Sequence, residues 1–217
     1  MNKYLKWNEQ TIQDFSNENI NNLYNEGFVF GRIEKGYMNQ TRSLRIDLSK
    51  FELSSENRRV LRKAEDLKLE TKDLPMSDYH WSLGKLAKDF YETKFGEGVF
   101  SANKVKEILT TEQNFNKLFV YQTDDEEIGY CIVHETNEIV HYSYPFYNLE
   151  NSVASLGMSM MLCAIVYAQE NNKKYIYLGS AQRPTDIYKL QFKGLEWFDG
   201  EKWSEDLGEL KNILKAE

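Results

Sequence analysis

The spacing of apolar residues changes period several times along the chain, and each change marks an element. Short runs over 28–33, with Phe28, Val29 and Phe30, and over 43–48, where apolar and polar residues alternate, read as strands. Ser54-Ser-Glu then opens a helix running to about residue 66, with serine as its N-cap. Residues 67–74 alternate as a strand does. Two amphipathic helices are predicted over 79–93, where Trp81, Leu86 and Phe90 recur at helical spacing, and over 102–112, with Val105, Ile108 and Leu109. Three strands follow closely, over 117–122, 127–134 and 138–143, and their short polar connectors at 123–126 and 136–138 predict an antiparallel meander. A long apolar helix is expected over 151–169, a short buried strand over 175–178, a helix over 185–190 and a final strand over 195–198. Residues 11–26 read as a helix or an irregular lead-in, and both chain ends as frayed.

A meander that passes through a helix into another strand needs a right-handed crossover, which makes that last strand pair parallel. The expected fold is therefore α/β: a mixed, mainly antiparallel central sheet with flanking helices. No repeat, low-complexity stretch or linker interrupts the chain. Pro75, Pro145 and Pro184 each separate elements. One domain over 1–217 is the reading, with a weak boundary near 74–78 that would divide 1–76 from 77–217.

Composition narrows the class. With 217 residues, 41% hydrophobic and 14% aromatic, the chain can bury a sizeable core throughout. Cys131 and Cys163 sit in apolar runs without a second Cys or a His at ligand spacing, so they read as buried thiols and no metal is expected. No apolar leader opens the sequence, and the stretch around 153–168 is too short to span a bilayer; a cytoplasmic protein without membrane partners is expected. The net charge of −7 argues against broad nucleic-acid coating, DNA included, but leaves room for a local basic patch.

Three places carry candidate chemistry. The first is the entry to the long helix, where Ser155, Leu156, Gly157 and Ser159 would let first-turn N–H groups meet an anion, or would simply allow close packing. The second is the exit of the buried strand, Tyr177-Leu-Gly-Ser180, followed by Gln182 and Arg183: polar groups facing a cleft, or an ordinary strand end. The third is the helix 54–66, on which Arg58 with Arg62 and Arg59 with Lys63 form like-charged i,i+4 pairs. Such a face suits an anion, although Glu56, Glu65 and Asp66 also fit a solvated mixed-charge surface. His80, His134 and His141 show no triad spacing and read as structural or exposed.

Taken in order along the chain, several runs resemble the aminoacyl-tRNA–protein transferases, the arginyl- and leucyl-transferases of the N-degron pathway. Leu23-Tyr-Asn-Glu-Gly-Phe and Arg45-Ile-Asp-Leu-Ser-Lys-Phe-Glu-Leu-Ser-Ser-Glu-Asn-Arg-Arg-Val-Leu-Arg-Lys are similar to the family's N-terminal part. Ser155-Leu-Gly, Tyr175-Ile-Tyr-Leu-Gly, Lys189-Leu-Gln-Phe-Lys193 and Gly200-Glu-Lys-Trp203 are similar to its later motifs. The resemblance implies a core of the GNAT (N-acetyltransferase superfamily) type and transfer of an activated acyl group to an amine, such as a protein N-terminus or a small-molecule amine. It implies aminoacyl-tRNA as donor with no cofactor, its phosphates held by Arg58, Arg59, Arg62 and Lys63. It implies a donor and substrate cleft lined by Ser155, Leu156, Gly157, Tyr177, Leu178, Gly179, Ser180, Lys189 and Lys193. Two alternatives stand beside it: an acetyl-CoA-dependent N-acetyltransferase, with the pyrophosphate on the N-terminus of the helix that starts at Asn151, where Ala154 and Gly157 substitute only imperfectly for the superfamily's glycine-rich loop, and a non-catalytic GNAT-like module that binds peptide or RNA. The sequence departs from the family twice. Residues 37–44 lack its cysteine cluster, and its Leu-Gly-Tyr becomes Leu178-Gly179-Ser180.

Overall fold

A computed structural model of the chain describes residues 4–124, 126–150, 153 and 155–216. The elements begin with β1 (Asn8–Thr11), α1 (Asn17–Asn25), β2 (Phe28–Phe30), β3 (Tyr37–Gln40), β4 (Ser43–Asp47) and α2 (Ser55–Lys63). They continue with β5 (Lys68–Asp73), α3 (Trp81–Phe95), α4 (Ala102–Thr110), β6 (Lys117–Thr123), β7 (Glu126–Glu135) and β8 (Ile139–Tyr147). Then come α5 (Leu156–Glu170), β9 (Tyr175–Ser180), a 3-10 segment (Pro184–Gln191), β10 (Leu195–Phe198), β11 (Trp203–Ser204) and α6 (Leu207–Ala216). Eight strands pair in the order β11-β10-β4-β9-β8-β7-β6-β5, and three form a small sheet, β1-β3-β2. The fold is the mixed, mainly antiparallel α/β architecture that the pattern predicts. β8 and β9 run parallel, with Ile139 opposite Tyr175 and His141 opposite Tyr177, after the chain has crossed through α5.

The chain forms two compact units: residues 1–54, 136–141 and 168–217, and residues 55–135 with 142–167. The second unit is built on the meander. β6 and β7 alternate apolar residues on both faces, so Leu118, Phe119, Val120, Cys131, Ile132 and Val133 are all buried. Helix α5, apolar nearly all round, adds Met160, Leu162, Ala164 and Ile165 to the buried set. Helices α3 and α4 bury Leu83, Ala87 and Phe90, and Val105, Ile108 and Leu109. The edge strand β5 carries Lys68, Glu70 and Lys72; Lys72 pairs with Glu127 at 2.8 Å, a charged finish that discourages pairing with another chain. Burial raises the thiol of Cys131 well above its ordinary value and that of Cys163 to about 11, so both stay protonated at neutral pH.

The first unit is organised around one buried guanidinium. Arg45 lies on β4 and is 6% exposed. Its Nε donates to Glu196 of β10 at 2.8 Å, and its Nη1 to Asn25 Oδ1 at 3.2 Å and to the Tyr177 hydroxyl at 3.4 Å. Its flat faces meet Tyr175 and Trp203, each ring centre 3.9 Å away. The network continues outward: the Tyr177 hydroxyl donates to the Tyr24 carbonyl at 3.1 Å, and the Tyr24 hydroxyl bonds His141 Nδ1 at 2.8 Å. Trp203 Nε1 donates to the Asn25 carbonyl at 2.8 Å. One cation thus joins β4, β9, β10, β11 and α1.

Several elements depart from the expectation, each for a physical reason. The polar β1 has no apolar pattern to announce it; it is held by its register against β3, with Asn8 Nδ2 donating to Gln40 Oε1 at 2.7 Å. The C-terminal tail is not frayed but forms α6, whose Leu210 and Leu214 are fully buried. β8 continues through Pro145 to Tyr147; its register with β9 ends at His141, so the missing N–H of Pro145 costs no bond on that side. The helix expected over 185–190 is a 3-10 segment opened by Pro184.

Two stability predictions follow from these networks. Arg45→Met should destabilise the protein, by up to roughly 3–5 kcal/mol, because the buried Glu196 keeps only the exposed Lys50 ammonium, 3.7 Å away, as a cationic partner. Arg45→Met with Glu196→Leu should recover most of that loss in denaturant titrations; a double variant as weak as the single would refute the ion-pair account. The second concerns His134, which is buried with Nδ1 2.7 Å from the Asn114 carbonyl. Burial depresses its pKa from 6.5 to about 4. Because the unfolded imidazole takes up a proton near pH 6.5 and the folded one does not, this contribution is complete above pH 6.5 and lost as pH falls toward 4. The difference amounts to about 3 kcal/mol. Unfolding free energies at pH 7, 6 and 5 should fall less steeply in His134→Gln than in the parent.

Candidate functional site

β9 ends on Gly179, whose φ of +76° lies in the left-handed region and lets the chain turn out of the sheet. Its two chain neighbours aside, no atom of the described residues lies within 4 Å of where a Gly179 side chain would begin, so the turn faces open space. Beyond it, Ser180 is held from two sides. Its hydroxyl shares a hydrogen bond of 3.0 Å with the hydroxyl of Tyr4, and its carbonyl accepts from Lys189 Nζ at 3.1 Å. Lys189 comes from the 3-10 segment, with a side chain only 13% exposed and Asp186 Oδ1 3.6 Å away. Burial lowers its pKa, against the pull of the Asp186 carboxylate.

Asp186 in turn caps the segment. Its Oδ2 accepts from the backbone N–H groups of Gln182 and Arg183 at 2.9 and 3.0 Å. Gln182 ties this loop to the N-terminal segment: its Oε1 accepts from Leu5 N at 2.9 Å and its Nε2 donates to Thr41 Oγ1 at 2.8 Å. The sequence reading missed Asp186 and Tyr4. Pro184-Thr-Asp186, a proline at the first position followed by an acid two residues on, is the signal that marks Asp186 as a cap. Tyr4 carries no local signal, because its partner is 176 residues away in the chain.

The other residues expected near this site fall into different surroundings. Tyr177 is wholly buried, with its hydroxyl engaged by Tyr24 and Arg45, and Leu178 is 2% exposed. Lys193 is an exposed partner of Glu52 at 2.6 Å. These belong to the first unit, as do Gly179, Ser180 and Lys189, whereas Ser155, Leu156 and Gly157 belong to the second.

In the second unit α5 begins at Leu156, five residues later than the pattern suggests; Asn151 and Ala154 lie outside the described residues. Ser155 adopts φ +59° and its carbonyl accepts from the N–H groups of Met158 and Ser159 at 2.8 and 3.0 Å. Gly157 has a close neighbour: a Cβ there would stand 2.9 Å from the Tyr147 hydroxyl, so no other residue fits without moving the phenol.

Helix α2 carries the basic residues on its exposed side. Arg59 is committed to Glu56, its Nε and Nη2 donating to the two carboxylate oxygens within 2.7 Å. Lys63 lies close enough for its charge to lower the Glu56 pKa, after the larger effect of Arg59. Arg58 and Arg62 are exposed and, among the described residues, have no ion-pair partner. Together with Ser55 and Leu61 they line a shallow open concavity.

Comparison with known proteins bears on what these sites serve. A curated aspartate/glutamate leucyltransferase of Saccharophagus degradans is 24% identical over 168 residues, spanning 74% of this chain and 69% of the relative. Another, from Ruegeria pomeroyi, is 26% identical over 165 residues, spanning 74% of this chain but only 60% of the relative. Among solved structures, the C-terminal domain of a lysylphosphatidylglycerol synthetase from Agrobacterium fabrum is similar at a TM-score of 0.48 and 16% identity, over 81% of this chain and 64% of that one. Residues 81–199, more than half of the chain, match the family model described as arginine-tRNA-protein transferase, C terminus, and the chain therefore belongs to that family of transferases.

Proposed function

We propose that the protein transfers the aminoacyl group of an aminoacyl-tRNA, leucyl in the first instance, to the N-terminal amine of a protein that begins with aspartate or glutamate. The observation that carries this reading is the family match over residues 81–199. The names of the two curated relatives supply the donor and acceptor. In this chemistry the acceptor amine attacks the ester carbonyl carbon, a C–N bond forms, and the C–O bond to the terminal ribose breaks with its oxygen leaving as a hydroxyl. The ester carries its own activation, so neither acetyl-CoA nor a metal is called for. The protein's contribution is to align amine and ester and to stabilise the oxyanion between them. A tRNA donor and a protein acceptor meet in the cytoplasm, where this reading places the enzyme.

On this reading α2 holds the donor by its backbone. A protein of net charge −7 repels RNA at long range, so its cations must be concentrated where the strand passes. Arg58 and Arg62, one turn apart and without protein carboxylates, fit two phosphates. Arg59, neutralised by Glu56, contributes less.

The decisive assay incubates the protein with leucyl-tRNA or arginyl-tRNA and a peptide beginning with Asp or Glu, and reads the peptide by mass. Gain of one leucyl residue is expected, with no product from acetyl-CoA. Acetylation without aminoacyl transfer would sink the proposal, and so would the absence of both. For the basic face, Arg58→Glu with Arg62→Glu should flatten the slope of log binding constant against log salt by about 1.5, while Arg59→Glu should change it little. An unchanged slope in the double variant would remove α2 from the donor site.

A further inference from the structure

Two residues ahead of β1 lie across the chain just beyond β9. Leu5 N donates to Gln182 Oε1 at 2.9 Å, and the Leu5 carbonyl accepts from Thr41 Oγ1 at 2.6 Å. Gln182 Nε2 donates to Thr41 Oγ1 at 2.8 Å, so the two side chains act together as one clamp on the N–H and C=O of a single residue. Such a grip reads no side chain; it reads main chain, the part that all peptides share. The clamp has fixed roots. Thr41 is wholly buried, and the N–H of Gln182 donates to Asp186 Oδ2 at 2.9 Å. Beside it, the Tyr4 hydroxyl stands 3.0 Å from Ser180 Oγ.

The segment in the clamp is held less firmly than the clamp itself. Its secure attachment begins at Trp7, whose N–H donates to the Gln40 carbonyl at 2.9 Å and whose ring centre lies 5.9 Å from that of Phe198. Among the described residues, Tyr4 and Leu5 have the three bonds to Ser180, Gln182 and Thr41 and no other hydrogen bond, ion pair or ring contact. All three end on side chains, and Tyr4 is 45% exposed, so water can replace them as the segment lifts. We propose that Gln182 and Thr41 form a main-chain clamp for the acceptor peptide, which Tyr4 and Leu5 occupy as an internal stand-in that the acceptor must displace. The inference rests on the aminoacyl-transfer reading, in which the acceptor is a peptide, and deepens it. A tethered segment competes at high local concentration without tight contacts of its own. Acceptor affinity is then reduced by the fraction of molecules whose clamp is occupied.

The test compares the full chain with Leu5→Pro and with Tyr4→Phe/Leu5→Pro. Proline removes the N–H that Gln182 accepts, and phenylalanine removes the hydroxyl that meets Ser180, while the clamp stays whole. Each protein is assayed for leucyl transfer over a range of acceptor-peptide concentrations. Leu5→Pro should lower the acceptor KM about threefold to tenfold, the worth of one hydrogen bond, with kcat and melting temperature unchanged. The double variant should lower it further. A capped peptide of residues 4–7, acetylated and amidated so that it cannot accept, should inhibit the double variant competitively against acceptor and the parent at least about tenfold more weakly. Gln182→Ala added to the double variant should abolish that inhibition. An acceptor KM that stays at the parent's value or rises in both variants would overturn the stand-in while leaving aminoacyl transfer established. A capped peptide that does not inhibit the double variant, or that inhibits it equally without Gln182, would overturn the clamp. A parent that transfers to no peptide overturns the acceptor role together with the reading on which it rests.

Discussion

The first unit depends on the burial of the positive charge of Arg45. A guanidinium taken out of water costs several kcal/mol unless its charge and its donors are answered. Arg45 is answered on every side: a carboxylate in Glu196, an amide oxygen in Asn25, a hydroxyl in Tyr177, and aromatic faces above and below in Tyr175 and Trp203. Lysine could not replace it, since a point charge on a flexible stem offers neither the planar face nor the fork. The fit constrains what surrounds it. β4 must lie between β9 and β10 in one register, and β11 must return to place an indole on the cation.

That constraint explains why the recurring motifs sit where they do. Arg45-Ile-Asp-Leu, Tyr175-Ile-Tyr and Gly200-Glu-Lys-Trp203 are far apart in the chain yet meet at one guanidinium. Their aromatic residues serve the fold of the unit, and β9 runs on past Tyr177 to Gly179, where the turn faces open space. The same strand thus does two things: its first half is locked by the cation, and its last residues leave the sheet at a left-handed glycine. A rigid anchor immediately behind a turn suits a binding loop, because loops position ligands well only when their roots do not move.

The sequence made the architecture readable wherever burial imposed a period, as in the meander, α3, α4 and the helix–strand crossover. It hid those parts whose partners are distant. Ser43-Leu-Arg-Ile-Asp47 reads as a strand, but nothing local shows that its arginine is buried; Arg45 is, because Tyr175 and Trp203, from beyond position 170, cover it. Asn8-Glu-Gln-Thr11 has no pattern at all and becomes a strand only through β3. In the candidate site, Gly179, Ser180 and Lys189 were legible as residues of a motif. Tyr4 was not, since nothing within its own neighbourhood indicates that it meets Ser180. On α2 the spacing showed four basic residues on one helix but not that Glu56 takes Arg59 out of play.

The distribution of ion pairs sharpens the electrostatic picture beyond net charge. On α2, lysine and arginine at i,i+4 spacing repel, at a cost of a few tenths of a kcal/mol per pair. Glu56 relieves that repulsion for Arg59 and partly for Lys63, but not for Arg58 and Arg62. Elsewhere on the surface several cations are already paired: Lys72, Lys85, Lys104, Lys117 and Lys193 each hold a carboxylate within 2.8 Å. At Arg58 and Arg62, one turn apart on α2, an anion meets two guanidinium groups without an internal pair having to be broken first. An exposed pair of cations that faces no carboxylate is where an acidic chain of net charge −7 can still attract an anion locally, while the rest of its surface repels it.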